Sequence, residues 1–110
     1  MTTNKIYVNN HHVPQLLSNI VYWASDRNII EGGSAKDQCL KLVQEVGELS
    51  DSLCKGKSPI DDIGDCMVVL AIIAEQHNLT ISNCLEHAYN DIKDRKGRMI
   101  DGVFVKEADL

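Results

Sequence analysis

An all-α fold, a bundle of four helices followed by a short extended tail, is the class this sequence predicts. Three observations predict it. Apolar residues recur at helical spacing in four stretches, residues that start or stop helices bound each stretch, and the hairpin signal Asp101-Gly102 comes only in the tail. At 110 residues the chain makes one domain, with no internal repeat and no linker long enough to separate a second. Hydrophobic residues are 44% and charged residues 25% of it, the balance of a globular protein with a modest core.

The first helix is predicted from about Pro14 to Asn28, where Leu16, Leu17, Ile20, Val21, Trp23 and Ala24 form the apolar stripe. The Glu31-Gly32-Gly33 turn ends it. Ser34 is the N-cap expected for a second helix that runs to about Leu53 and carries Leu40, Val43, Val46, Leu49 and Leu53. Ser58-Pro59 reads as a cap with proline at the first helical position, and Asp61 and Asp62 suit the positive start of the helix dipole. This third helix continues to about His77. Its middle, Cys66 to Ala74, is apolar all round, which implies burial on several sides and, in so small a domain, contact with another subunit. Asn78-Leu79-Thr80 makes a turn, and Ser82 is expected to cap a fourth helix through about Lys96, with Leu85, Ala88, Tyr89 and Ile92 facing inward. Gly97 ends it. Met99 to Val105, broken by Asp101-Gly102, reads as a small β-hairpin or as extended chain.

The formal charge of −5 and pI near 5.2 argue against a partner that is a nucleic-acid polymer, because affinity for a phosphate backbone comes from clustered Lys and Arg. No stretch is long and apolar enough to span a bilayer, and Met1 to Asn10 lack the apolar core of a secretory signal. Cys39, Cys54, Cys66 and Cys84 contain no Cys-x-x-Cys pair and fall among apolar residues, so they read as buried reduced thiols rather than as a disulfide framework or a zinc site with His11 and His12. A cytoplasmic protein is expected.

Chemistry is concentrated in two acidic pairs, Glu45 with Glu48 and Asp62 with Asp65, each spaced i, i+3 and so co-facial on a helix. Lys55-Gly56-Lys57-Ser58-Pro59 joins the two helices. If it folds as a short hairpin, Glu48 and Asp65 sit at similar height, with Glu45 one turn above and Asp62 one turn below. At about 1.5 Å rise per residue, the four carboxylates then converge within roughly 10 Å along the hairpin. Such a cluster calls for a hard cation.

Three blocks carry a resemblance: Gln44-Glu45-Val46-Gly47-Glu48, then Asp62-Ile63-Gly64-Asp65, then Asn90-Asp91-Ile92-Lys93-Asp94-Arg95-Lys96-Gly97. In this order they resemble the MazG-type all-α nucleoside triphosphate pyrophosphohydrolases, whose pattern is Glu-Glu-x-x-Glu, then Glu-x-x-Asp, then a segment bearing Asn, Lys and Arg. The likeness spans about residues 14–97. Two positions depart from it. Gln44 stands where the family has its first Glu and cannot be a charged ligand, and Asp62 replaces a Glu, drawing that carboxylate back by one methylene.

The resemblance implies a MazG-like bundle completed by oligomerisation, as a homodimer or homotetramer. It implies hydrolysis of a (deoxy)nucleoside triphosphate between the α and β phosphates, giving a monophosphate and pyrophosphate. Mg²⁺, with Mn²⁺ able to substitute, would be held by Glu45, Glu48, Asp62 and Asp65, and Glu45 and Glu48 would be catalytic, with Glu45 orienting the attacking water. Asn90, Lys93, Arg95 and Lys96 would grip the β and γ phosphates. Lys41 reads equally as a further phosphate ligand and as the partner of Glu45 in an ordinary i, i+4 pair. Trp23 fits a base-stacking role and also a core position. Nucleotide-pool control in a bacterial cell or a phage-infected host is the implied setting, with dGTP to dGMP among the reactions that phage members of the family perform.

Blander readings compete. The Lys93 to Arg98 run also fits a solvated helix end, and His77 and His87 fit surface positions. A ferritin-like di-iron site needs Glu-x-x-His, and no Glu of this chain has His three residues later. The alternative from another class is a non-catalytic helical oligomerisation or interaction module, in which the third helix serves assembly and the acids only solubilise.

Overall fold

A computed structural model describes residues 12–110. In chain order it contains α1 (Val13–Asp26), α2 (Ala35–Cys54), α3 (Ile60–Gln76), α4 (Ile81–Ile92), β1 (Gly97–Ile100), β2 (Val103–Lys106) and a short 3₁₀ turn (Glu107–Asp109). The architecture is four helices and a two-stranded tail. The readings made for Met1 to Asn10 and for His11 lie outside the described residues.

Local chemistry sets the helix ends. Pro14 opens α1, where a missing N–H costs nothing. The helix stops at Asp26, before the expected end, because Asn28 takes a left-handed conformation, φ 59°. Its N–H and that of Ile29 then donate to the carbonyls of Ser25 (3.0 Å) and Ala24 (2.9 Å). This closes the crossed pair of bonds that satisfies orphan helix carbonyls. The same device ends α2 at Gly56, φ 68°, and α3 at Asn78, φ 58°.

Ser34 caps α2, its Oγ accepting from the Asp37 N–H at 3.1 Å. The start of α3 falls one residue later than expected: Pro59 is the cap, and Ser58 Oγ accepts from the Ile60 N–H at 3.4 Å. The cap of α4 is Thr80 rather than Ser82. Thr80 Oγ1 accepts from the Asn83 N–H at 3.0 Å while Asn83 Oδ1 accepts from the Thr80 N–H at 3.1 Å, a reciprocal pair that Ser82 cannot match from inside the helix. The other end of α4 is also corrected. It stops at Ile92, so Arg95 and Lys96 follow the helix and do not belong to it. The tail is a hairpin, turned by Asp101 (φ 49°) and Gly102 (φ 84°), with Gly97 opposite Lys106 and Ile100 opposite Val103.

Helices α2 and α3 form the main packed pair, α1 lies against α3, and α4 meets α3 where Thr80, Ile81 and Ser82 share a groove with Ala71 and Glu75. The buried apolar residues are Ala24, Val69, Ala71, Ile72 and Ala74, four of the five within the apolar run of α3. The core is thin. Among the described residues no large side chain is fully buried, and twenty large hydrophobics are exposed, including the expected inner stripe of α4, Leu85, Tyr89 and Ile92. The thiols correct another expectation: Cys39, Cys54 and Cys84 are free and exposed, and Cys66 is half-buried, because these helices cover each other on one side only. The radius of gyration is 16.7 Å, against about 13 Å for a compact chain of this length.

Candidate functional site

The α2–α3 hairpin brings the four predicted acids into one neighbourhood. Glu45 is the centre. Its side chain is only 8% exposed, which is unusual for a carboxylate. Lys41 Nζ lies 3.3 Å from Glu45 Oε1, one helical turn away, and Glu45 Oε2 is buried with no hydrogen-bond partner. Burying an ionised carboxylate is costly unless each oxygen is paired, so a carboxylate left half satisfied in this way marks a place where a charge or a donor is wanted.

The neighbours of Glu45 raise that demand. The Glu45 carboxyl stands within hydrogen-bonding reach of Glu48 and adds its negative charge there. With smaller contributions from burial and from Asp62, and some relief from Lys41, this holds the Glu48 carboxyl above its ordinary value. Asp65 is also raised, first by burial, then by the charges of Asp61, Glu45 and Asp62. Burial raises the Cys66 thiol, and Glu45, Asp62, Asp65 and Glu48 all raise it further. One side chain on α3 thus feels all four acids, two of them from α2. Like charges gathered in this way prefer a proton or a cation between them.

Among the described residues no three His, Cys, Asp or Glu side chains are drawn tightly enough together to form a ready-made ion cage. The donor set is nevertheless all oxygen, and one of its carboxylate oxygens is buried without a partner. That fits a hard cation such as Mg²⁺, which takes few protein ligands and keeps water and phosphate oxygens for the rest.

Beside the acids, Leu16, Asn19, Ile20 and Trp23 of α1 and Asp65 and Val68 of α3 line a cleft of about 410 Å³. Trp23 is 46% exposed, and the Arg27 guanidinium lies 4.8 Å from its ring centroid, covering one face. Trp23 is therefore not a core residue of this chain. Asn19 was missed by sequence reasoning, although its spacing four residues before Trp23 placed it on the same face; its Oδ1 accepts from Gln15 Nε2 at 3.0 Å. Cys66 was missed as a neighbour of the acids, and its position directly after Asp65 was the available signal. The larger groove, about 600 Å³, lies between α1, α3 and the start of α4; it is mostly apolar and holds none of the four acids.

The expected phosphate grip belongs to other elements of the chain than the acids of α2 and α3. Asn90 is on α4, Lys93 caps its C-terminus, and Arg95 and Lys96 follow it, all exposed. Arg95 is paired with Asp91 at 3.0 Å. None of these cations is among the main causes of the shifts at Glu48 or Asp65.

Comparison with known proteins gives a narrow result. No family model matches the chain, and no solved structure matches it. It is 43% identical over 67 residues to a Haemophilus phage HP1 protein described as an uncharacterized 18.2 kDa protein in the rep-hol intergenic region. The alignment takes in 59% of this chain and 41% of that relative, so the chain spans well under half of the relative's length.

Proposed function

We propose that this protein is a Mg²⁺-dependent nucleoside triphosphate pyrophosphohydrolase that cleaves between the α and β phosphates. The observation that carries the reading is the Glu45 carboxylate, buried, with one oxygen unpaired and with Glu48 and Asp65 crowded against it. A structural salt bridge does not need the extra acids, and a solubilising acid does not need burial. Mg²⁺ (or Mn²⁺), when bound, supplies the charge that lets a polyphosphate approach an acidic site and polarises the phosphate oxygens.

The chain's own residues supply the rest. Glu45, Glu48, Asp62 and Asp65 provide oxygen ligands, and Glu45 is the carboxylate best placed to orient the attacking water. The cleft beside Asp65 accepts the nucleoside, with the free face of Trp23 available for stacking. Lys93, with Asn90, Arg95 and Lys96, grips the phosphates from a neighbouring copy in a homodimer or homotetramer. The exposed apolar surface of α4 supports such an assembly. The substrate class is (deoxy)nucleoside triphosphates, with dGTP to dGMP as one candidate reaction. The role is nucleotide-pool control in the cytoplasm of a bacterial or phage-infected cell, a setting that the phage relative supports.

Incubating the purified protein with canonical and deoxy nucleoside triphosphates, with and without Mg²⁺, tests this directly. Monophosphate plus pyrophosphate, formed only with Mg²⁺, is expected. The absence of turnover across that panel and a modified-nucleotide panel leaves the second reading, a helical oligomerisation module. That reading is favoured by one specific observation, the twenty exposed large hydrophobics around a thin core.

A further inference from the structure

Of the three i, i+4 ion pairs among the described residues, one is unlike the others. Lys55 with Asp51 (2.9 Å) and Arg95 with Asp91 (3.0 Å) join side chains that are all at least a third exposed. Lys41 with Glu45 joins a base that is 52% exposed to an acid that is 8% exposed, across a longer 3.3 Å. The acid is fixed by burial and the base is held loosely. Charge-assisted contacts between ammonium and carboxylate usually close to about 2.7–2.9 Å. The ammonium pairs with Oε1 without a formed hydrogen bond, and Oε2 has no hydrogen-bond partner.

We propose that Lys41 is an internal stand-in for the cation of this site. In the cation-free chain its ammonium offsets the charge of Glu45, and it leaves Glu45 for a substrate phosphate oxygen once a divalent cation is present. This inference rests on the pyrophosphohydrolase reading. Three features suit Lys41 to it. Its head is a compact point charge on a flexible stem, able to move between two acceptors. It sits one turn before Glu45, so its stem reaches Glu45 without displacing Glu48 or the α3 acids. Its charge also relieves Glu48, beyond its contact with Glu45, so it serves the cluster and not a single pair.

The stand-in role has a sign that an ordinary salt bridge does not share. Lys41 competes with a cation for Glu45 in the nucleotide-free protein, and then adds to triphosphate binding after release. Removing it therefore tightens the first and weakens the second.

The test is Mn²⁺ binding to the full chain without nucleotide, read by electron paramagnetic resonance, for wild type, Lys41→Met and Lys41→Gln, with helical circular dichroism as the fold control. Two variants guard against one misfolding. Mn²⁺ affinity about fivefold tighter in both, the factor expected for losing one half-exposed competing ion pair, is the predicted result. A second readout is the acetylation rate of Lys41 by mass spectrometry, expected to rise with Mg²⁺ alone and to fall when a non-hydrolysable triphosphate is added. Unchanged or weaker Mn²⁺ affinity in the variants, with wild type binding Mn²⁺ normally, overturns the stand-in role and leaves the acidic site intact. No Mn²⁺ binding by wild type overturns both the site and the role.

Discussion

At the scale of single residues, the behaviour of this protein turns on like charges held together. Glu48→Gln keeps the volume of the side chain and removes one negative charge. Turnover should be lost, while the metal-free variant should melt at a higher temperature than wild type, because Glu48 in its ionised form is disfavoured by Glu45. Calorimetry in chelator beside a product assay checks both, and near-normal activity would exclude Glu48 as a ligand. The pH dependence follows from the same directions. Glu48 and Asp65 titrate above their ordinary 4.5 and 3.8, so the folded chain binds more protons than the unfolded chain from those values up to the raised ones. Their contribution to stability therefore falls as pH rises through that window. Melting in chelator should show the decline, and Mg²⁺ should reduce it by taking the place of the protons. Flat melting curves with and without Mg²⁺ would count against the crowding of the acids.

At the scale of elements, the helices and the acidic pairs were legible because each rests on local spacing. The 3.6-residue period shows which segments coil, and the i, i+3 rule puts Glu45 with Glu48 and Asp62 with Asp65. The ends were less legible, since two neighbouring residues often compete for one role. Thr80 outdid Ser82 because Asn83 lies three residues after it and can bond back. The buried state of Glu45 was not legible at all, because it depends on where α3 lies against α2 and not on any spacing within one helix. Two substitutions test the local devices. Thr80→Ala should cost about 1 kcal/mol, the usual worth of a cap. Gly56→Ala should also cost about 1 kcal/mol, because its φ of 68° disfavours a side chain although nothing within 4 Å would clash with one. Urea unfolding measures both; an unchanged midpoint for Gly56→Ala would mean the turn relaxes.

At the scale of the whole molecule, the acids and the cations expected to serve one substrate sit on different parts of one chain. If a neighbour's α4 supplies Lys93, then Glu48→Gln and Lys93→Ala, each inactive or weak alone, should regain activity when mixed and allowed to exchange. An assembly of the mixed variants has some sites with an intact Glu48 and an intact Lys93. No recovery after verified exchange would place both residues in one chain's site. The thin core adds a different consequence. With no large side chain fully buried among the described residues, a chain of 12.2 kDa has little to hold it folded alone. If the chain assembles as proposed, its fold depends on mass action, and its melting temperature should rise with protein concentration. If the protein is the proposed enzyme, catalysis inherits the same dependence: specific activity should fall on dilution and return on reconcentration, so that a cell making few copies would have almost no active enzyme, and one making many would switch it on within a narrow range of expression.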